Sequence, residues 1–239
     1  MNSIELLEKT LKDIRAGKVL DIATGAGEFL HTILEFSNIE SITALDSGEF
    51  SAKIIAENFP DVEFILADAV NMPFEDEFFD TVCMSNSLHH MPDIDCALFE
   101  MLRVLRKGGN FVLSEMHRDT RNEISLNNVR LHHWSASIDR KIGRFHAETF
   151  GAEFLRSKLA DLNLDDLAVI EFEWPVENPF AEEFTARPIG IIETTIERLS
   201  CREGFDEIIS EGRGILDSIR KNGYGSPPFL FFWGRKAKG

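Results

Sequence analysis

The chain predicts an α/β fold built on a mostly parallel sheet with helices on both faces, and three observations carry that expectation. From Lys18 to about Glu115 short β-rich runs alternate with helical patterns, the order that parallel βαβ units produce. The runs are apolar almost throughout, as strands buried on both faces must be. At 239 residues, 44% of them hydrophobic and 28% charged, the chain is long enough for one sizeable α/β domain with an insertion. A single domain over 1–239 is therefore expected.

The elements follow in order. MNSIELLEKTLKDIR places Ile4, Leu7, Leu11 and Ile14 at helical spacing between charges, an amphipathic helix lacking the apolar region of a signal peptide. Strands are expected at 18–22, 41–45, 62–66, 79–84 and 110–115, with helices over 28–36, 48–58 and 93–106 between them. The last helix carries Ala97, Leu98, Met101, Leu102 and Leu105 on one face and is expected to stop at a left-handed cap on Gly108 and Gly109. From His117 to His146 the rhythm changes to charge, Asn and His with weak helical periodicity, read as an inserted arm. A helix over 147–162, a strand near 167–174, a mostly helical stretch over 181–222 and an aromatic strand over 227–236 complete the chain. The phenylalanine-rich end, Phe229, Phe231, Phe232 and Trp233, suits core better than interface, and a homo-oligomer stays open.

Charge narrows the partners. The chain has 41 Asp and Glu against 25 Lys and Arg, a formal net charge of −16 that repels phosphate backbones and anionic lipid surfaces. Nucleic acid and membrane are not expected partners, and the basic stretches Arg103 to Lys107 and Arg235 to Lys238 read as solvated element ends. No run reaches the roughly 18 apolar residues that span a bilayer. Cys83, Cys96 and Cys201 are too scattered for a disulfide framework, which fits reduced thiols in a cytoplasm. No pair among His117, His132, His133 and His146 has the spacing of a zinc signature, so no metal is expected.

The strongest local signal is VLDIATGAGEF, residues 19–29, where a buried strand runs through Asp21 into a turn at Thr24, Gly25, Ala26 and Gly27 and then into a helix. Glycines without Cβ let a ligand lie against the backbone there. A dinucleotide would also suit such a turn, but Leu30 stands where its G-x-G-x-x-G fingerprint wants a third small residue. Asp46 ends the second strand, where an acid meets ribose hydroxyls or caps the next helix. Asp68 follows the third strand, where it is either a solvated loop acid or an acceptor for an exocyclic amine, with the Ala69 N–H beside it.

Taken in sequence, DIATGAGEF, ALDSG, ADAVNMPFEDEFFD, MSNSLHHM and LRVLRKGGNFVLSE resemble the class I S-adenosylmethionine-dependent methyltransferases, in particular their small-molecule and quinone-type branch. The resemblance covers about residues 15–116. It implies a Rossmann-like seven-stranded sheet with an antiparallel last strand; beside it, the residues are expected to organise as a cofactor-binding half over 1–116, a lid or arm over 117–146, and a C-terminal half over 147–239 with a helical insertion over 176–222. The resemblance also implies that Asp21, Ala23, Gly25 and Gly27 hold the methionine moiety of S-adenosyl-L-methionine, Asp46 the ribose, and Asp68 with Ala69 the adenine. Ala23 stands where many members have glycine. Asn86, with Ser85 and Ser87, would border the donor methyl, and the absence of an Asn/Asp-Pro-Pro-Tyr motif argues against nucleobase amino-methylation.

Methyl transfer needs in-line placement, and a base only where the acceptor must lose a proton. His89, His90 and His117 are the candidate bases, with a structural or capping role as the plainer reading of the first two. Trp134 with Arg130, Arg140 and Arg144 would form a lid that excludes water and holds an anionic group, or equally the arm is an exposed loop that packs against a neighbouring subunit. The acceptor is a small molecule of unassigned identity. The rivals are an RNA methyltransferase, a nicotinamide-dependent oxidoreductase and a non-catalytic cofactor-binding protein.

Overall fold

The computed structural model describes residues 2–238. Helix α1 (Ser3–Asp13) opens on a capping box in which the Asn2 side chain accepts the Glu5 N–H and the Glu5 carboxylate accepts the Asn2 N–H; Leu7 and Leu11 are its buried stripe. The strands are β1 (Arg15–Ile22), β2 (Ser37–Asp46), β3 (Glu63–Leu66), β4 (Phe79–Ser85), β5 (Leu105–Met116), β6 (Leu164–Phe172) and β7 (Phe229–Lys236). They form one seven-stranded sheet in the order β3-β2-β1-β4-β5-β7-β6.

The β1–β2, β1–β4, β2–β3 and β4–β5 pairs are parallel. The final strand runs the other way: near its end Lys236 Nζ donates to the Leu105 carbonyl at 2.8 Å, and near its middle Trp233 Nε1 donates to Asn110 Oδ1 at 3.3 Å, so β7 ends where β5 begins. The expected mixed, mostly parallel sheet is therefore what the chain builds. Val19, Leu20, Ile22, Val82, Met84, Phe111, Val112 and Leu113 have no exposure, which is the two-sided burial read from the apolar runs.

The remaining helices are α2 (Leu30–Ile33), α3 (Glu49–Asn58), α4 (Ile94–Val104), α5 (Glu123–Lys141), α6 (Ala152–Ala160), α7 (Glu182–Ser200) and α8 (Asp206–Asn222). Two expectations change. The helix expected over 28–36 is regular for only four residues, so the glycine turn feeds a short helical turn rather than a long helix. The helix α4 stops at Val104 on an extended Leu105, not at a glycine cap; Gly108, with φ +71°, lies inside β5, and the β4–β5 register shifts between Phe79 and Thr81.

The chain divides into two compact units. The first holds residues 1–115, 156–172 and 230–239, hence nearly all of the sheet. The second holds residues 116–155 and 173–229, and so takes in both the arm over 117–146 and the helical insertion over 176–222. Its core is an α-helical cluster of Leu131, Trp134 and Ile138 with Ile192, Leu199, Ile209, Leu216 and Ile219. Trp134, expected on a lid face, is instead a fully buried core residue, and its Nε1–H donates to the Ile208 carbonyl at 2.7 Å. The arm, read as weakly periodic, contains the 19-residue helix α5.

Candidate functional site

Sheet register decides which residues share a rim. Ile22 pairs with Leu45 and Met84, Leu45 with Ile65, and Met84 with Leu113. The next residues along each strand are Ala23, Asp46, Leu66, Ser85 and Ser114, and they stand in one row at the carboxyl edge of the sheet. In a sheet that grows from β1 first toward β2 and then toward β4, that edge is the switch point where ligands of α/β folds bind.

Three loops meet there. The Gly25 N–H donates to Asp46 Oδ2 at 2.9 Å and the Gly48 N–H to Asp46 Oδ1 at 2.8 Å, so Asp46 joins the turn after β1 to the one after β2. It does not cap α3, whose N-cap is Gly48 without a side-chain bond. The Ser87 hydroxyl lies 3.2 Å from the Ala23 carbonyl and 2.8 Å from that of Ser85, joining the β1 and β4 loops. Ala23 and Asn86 both hold left-handed backbone, with φ 54° and 47°, a conformation that L-residues adopt at some cost. Strain of this kind collects where a loop must present particular groups.

The two turn glycines differ. A Cβ on Gly25, at φ +55°, would meet nothing within 4 Å, so its backbone faces open space where a ligand can lie. A Cβ on Gly27 would sit 2.6 Å from the Phe59 ring and 2.9 Å from Ile55 Cδ1, so Gly27 is there for close packing of α3 against the turn. Asp21 is almost wholly buried, and burial pushes its carboxyl up to about 7; a hydrogen bond from Thr24 Oγ1 at 2.6 Å opposes the rise and the charge of Asp46 adds to it. Burial, with the Asp21 charge added, also pushes the neighbouring Cys83 thiol upward.

Asp68 is exposed beyond β3, and its Oδ1 accepts the Val70 N–H at 3.1 Å, with Ala69 buried beside it. The following loop is clamped from α4, which sequence reasoning missed. Glu100 accepts the Met72 N–H, while Arg103 donates to Glu100, to the Met72 and Phe74 carbonyls and to Asp76. Arg103 holds the Glu100 carboxyl below its ordinary range. This arginine, expected as a solvated helix end, is a loop anchor.

A second missed residue organises the loop after β4. Glu115 is fully buried near the end of β5; its Oε2 accepts the N–H groups of Ser87 and Leu88, each at 3.1 Å, and its Oε1 accepts from His89 Nδ1 at 2.5 Å. His89 is itself fully buried, whereas its neighbour His90 is exposed, their rings 4.3 Å apart. An acid inside the apolar run NFVLSE was the available signal for Glu115, since a buried carboxylate needs partners. His117 falls in the second unit, buried, with its Nδ1 accepting the Asp119 N–H at 3.3 Å and its own N–H on the Pro228 carbonyl.

The second unit also carries an open pocket of about 440 Å³, lined in part by Trp174, Phe184, Arg187 and Tyr224, a size that accepts a small organic molecule. Burial pushes the Tyr224 hydroxyl up, and the Arg187 charge opposes the rise.

Fold, rim and sequence make the sheet-bearing part of the chain similar to methyltransferase domains. Residues 20–113 match the family model described as "Methyltransferase domain". A demethylmenaquinone methyltransferase of Thermotoga maritima is 34% identical over 104 residues, covering 44% of this chain and 45% of that protein. The chain thus aligns with only about half the length of such curated relatives. Among solved structures the YcgJ protein of Bacillus subtilis superposes with a TM-score of 0.63 at 20% identity, covering 99% of both chains. A Haemonchus contortus phosphoethanolamine N-methyltransferase, solved with phosphomonomethylethanolamine and S-adenosylhomocysteine, gives 0.54 at 17% identity, covering 98% of this chain and 52% of that one.

Proposed function

We propose that the chain binds S-adenosylmethionine at the carboxyl edge of β1–β4 and transfers its methyl group to a small-molecule acceptor. The observation that carries this reading is the open Gly25 cradle joined to Asp46 by one hydrogen bond, inside a segment that matches the methyltransferase-domain model. The donor set fits the cofactor: backbone without side chains, one acid at the end of β2, a second beyond β3, and a buried acid that a neighbouring positive charge would help to ionise.

When bound, the cofactor supplies an electrophilic methyl on a sulfonium. The chain's residues place it. Asp21, Ala23, Gly25 and Gly27 take the methionine side, Gly27 by shaping the turn; Asp46 takes the ribose hydroxyls, and Asp68 with the Ala69 N–H takes the adenine. Asn86 borders the methyl. His89, locked to Glu115, is a positioning residue for the 86–90 loop, and the exposed His90 is the better placed of the two to accept a proton from an acceptor. His117 stands as a further candidate base in the second unit.

Among the described residues no helix is long and apolar enough to cross a membrane, and the three cysteines are free. A cytoplasmic location is part of the same reading. The relatives' quinone-type substrates support a small-molecule acceptor and leave its identity open.

Calorimetric titration with S-adenosylmethionine, S-adenosylhomocysteine and NAD tests the reading. Binding of the first two and silence from NAD is the expected result; NAD binding alone overturns it. Asp68→Ala is the cleaner variant, because Asp46→Ala also removes the acceptor for Gly25 and Gly48. It is expected to weaken cofactor binding by about 1–3 kcal/mol.

A further inference from the structure

Within the second unit, residues from the two ends of one segment converge on a single imidazole. His132 and Asp139 lie on α5 seven residues apart, on the same helix face and about 10 Å apart along the axis. Past the helix end Gly143, at φ +83°, reverses the chain, and the following residues bring His146 back against that face. His146 is buried, and its Nδ1 donates to Asp139 Oδ2 at 2.8 Å while its Nε2 faces His132 Nε2 at 3.2 Å. The two rings are almost perpendicular, 79° apart.

Each feature has a consequence in coordination chemistry. A carboxylate on Nδ1 fixes the tautomer that leaves the Nε2 lone pair of His146 pointing at His132 and raises its basicity, the arrangement found behind metal-ligating histidines. Two nitrogens bound at about 2.0–2.1 Å to a tetrahedral ion lie about 3.3 Å apart, close to the separation here. As an N–H···N hydrogen bond, 3.2 Å is at the long end of the range. Nearby charges balance: Arg144 lies 4.0 Å from Asp139, and Arg140 donates to the His146 carbonyl and sits 3.8 Å from Glu148. The adjacent His133 is not a third ligand through Nε2, which already meets the Thr149 N–H and hydroxyl.

We propose that His132 and His146 hold a divalent transition-metal ion of the zinc type through their Nε2 atoms, with Asp139 fixing His146 from behind. Binding moves the His132 proton from Nε2 to Nδ1, so that both Nε2 lone pairs face the ion. The other coordination positions go to water or further donors. Spacing alone hides the site because its ligands are fourteen residues apart, two helical turns and a reversal, outside the short spacings of zinc signatures.

The test uses the tag-free full chain, stripped with chelator and titrated with Zn²⁺ alone, then with Co²⁺ for its visible spectrum. One stoichiometric equivalent is expected, with X-ray absorption reporting at least two imidazole nitrogens. Asp139→Asn should weaken binding about 10–100-fold, the usual effect of removing such an outer carboxylate. His132→Asn and His146→Asn should each abolish the stoichiometric equivalent. His146 is buried and its variant is liable to misfold, whereas the half-exposed His132 on α5 gives a variant whose circular dichroism should match the parent. No stoichiometric uptake, or uptake unchanged in folded His132→Asn, overturns the proposal.

Discussion

Removing the Glu115 carboxylate should be among the most damaging single changes in the first unit, although no cofactor group is assigned to it. In the Glu115→Ala variant three buried donors lose their acceptor at once: the Ser87 and Leu88 N–H groups and His89 Nδ1. An unsatisfied buried donor costs about 1–3 kcal/mol, and three are left here. Because both backbone bonds are long and water can enter the vacated space, about 4 kcal/mol is the expected loss, a large share of the stability of an ordinary domain. Glu115→Gln keeps the volume and one acceptor oxygen for the two N–H groups, and His89 need only change tautomer to face the amide; about 1 kcal/mol is expected. Urea unfolding followed by fluorescence measures both, read as a shift in midpoint at unchanged slope. Hydrogen exchange at the Ser87 and Leu88 amides should accelerate in step. A Glu115→Ala variant within about 1 kcal/mol of the parent would refute the assignment of Glu115 as the anchor of the 86–90 loop.

Asp21 gives a pH signature. Its folded value of about 7 lies above the ordinary 3.8, so the folded chain keeps a proton that the unfolded chain releases. Stability from this group is therefore greatest below about pH 4 and falls as pH rises toward 7, by about 4 kcal/mol in all. Asp21→Asn should flatten that slope and be the more stable protein at pH 8, and an unchanged slope in denaturant titrations would defeat the argument. The glycines separate strain from packing: Gly25→Ala should cost about 1–2 kcal/mol from left-handed backbone alone, whereas Gly27→Ala should cost about 1–3 kcal/mol more because its Cβ strikes Phe59 and Ile55. Equal melting shifts for the two would remove the distinction.

The strands β1, β2, β4 and β5 were legible because burial on both faces writes an apolar run, whereas the edge strand β3 is apolar but only partly buried; Asp46 and Asp68 were legible as acids at the ends of strands. The long helix α5 was not. Its buried face includes Ser125 and Asn127, whose polar groups are satisfied by Glu173, Ser218 and the Gly223 carbonyl, so apolar periodicity misses positions that are nonetheless core. Glu115 was hidden for the opposite reason, since a carboxylate with three donors can occupy a position that looks like plain strand. Gly108-Gly109 suggested a helix cap because glycine signals a left-handed residue without saying whether a helix end or a bulged strand needs it.

In the second unit, a Cβ on Gly212 of α8 would lie 2.6 Å from the Trp134 ring. The indole on α5 therefore rests directly on the backbone of its neighbour, and the two positions form a size-matched couple. In any lineage that acquires a side chain at 212, the residue at 134 must shrink, or the two helices must part; a tree of such sequences should show the pair changing together, with single changes at either position rare.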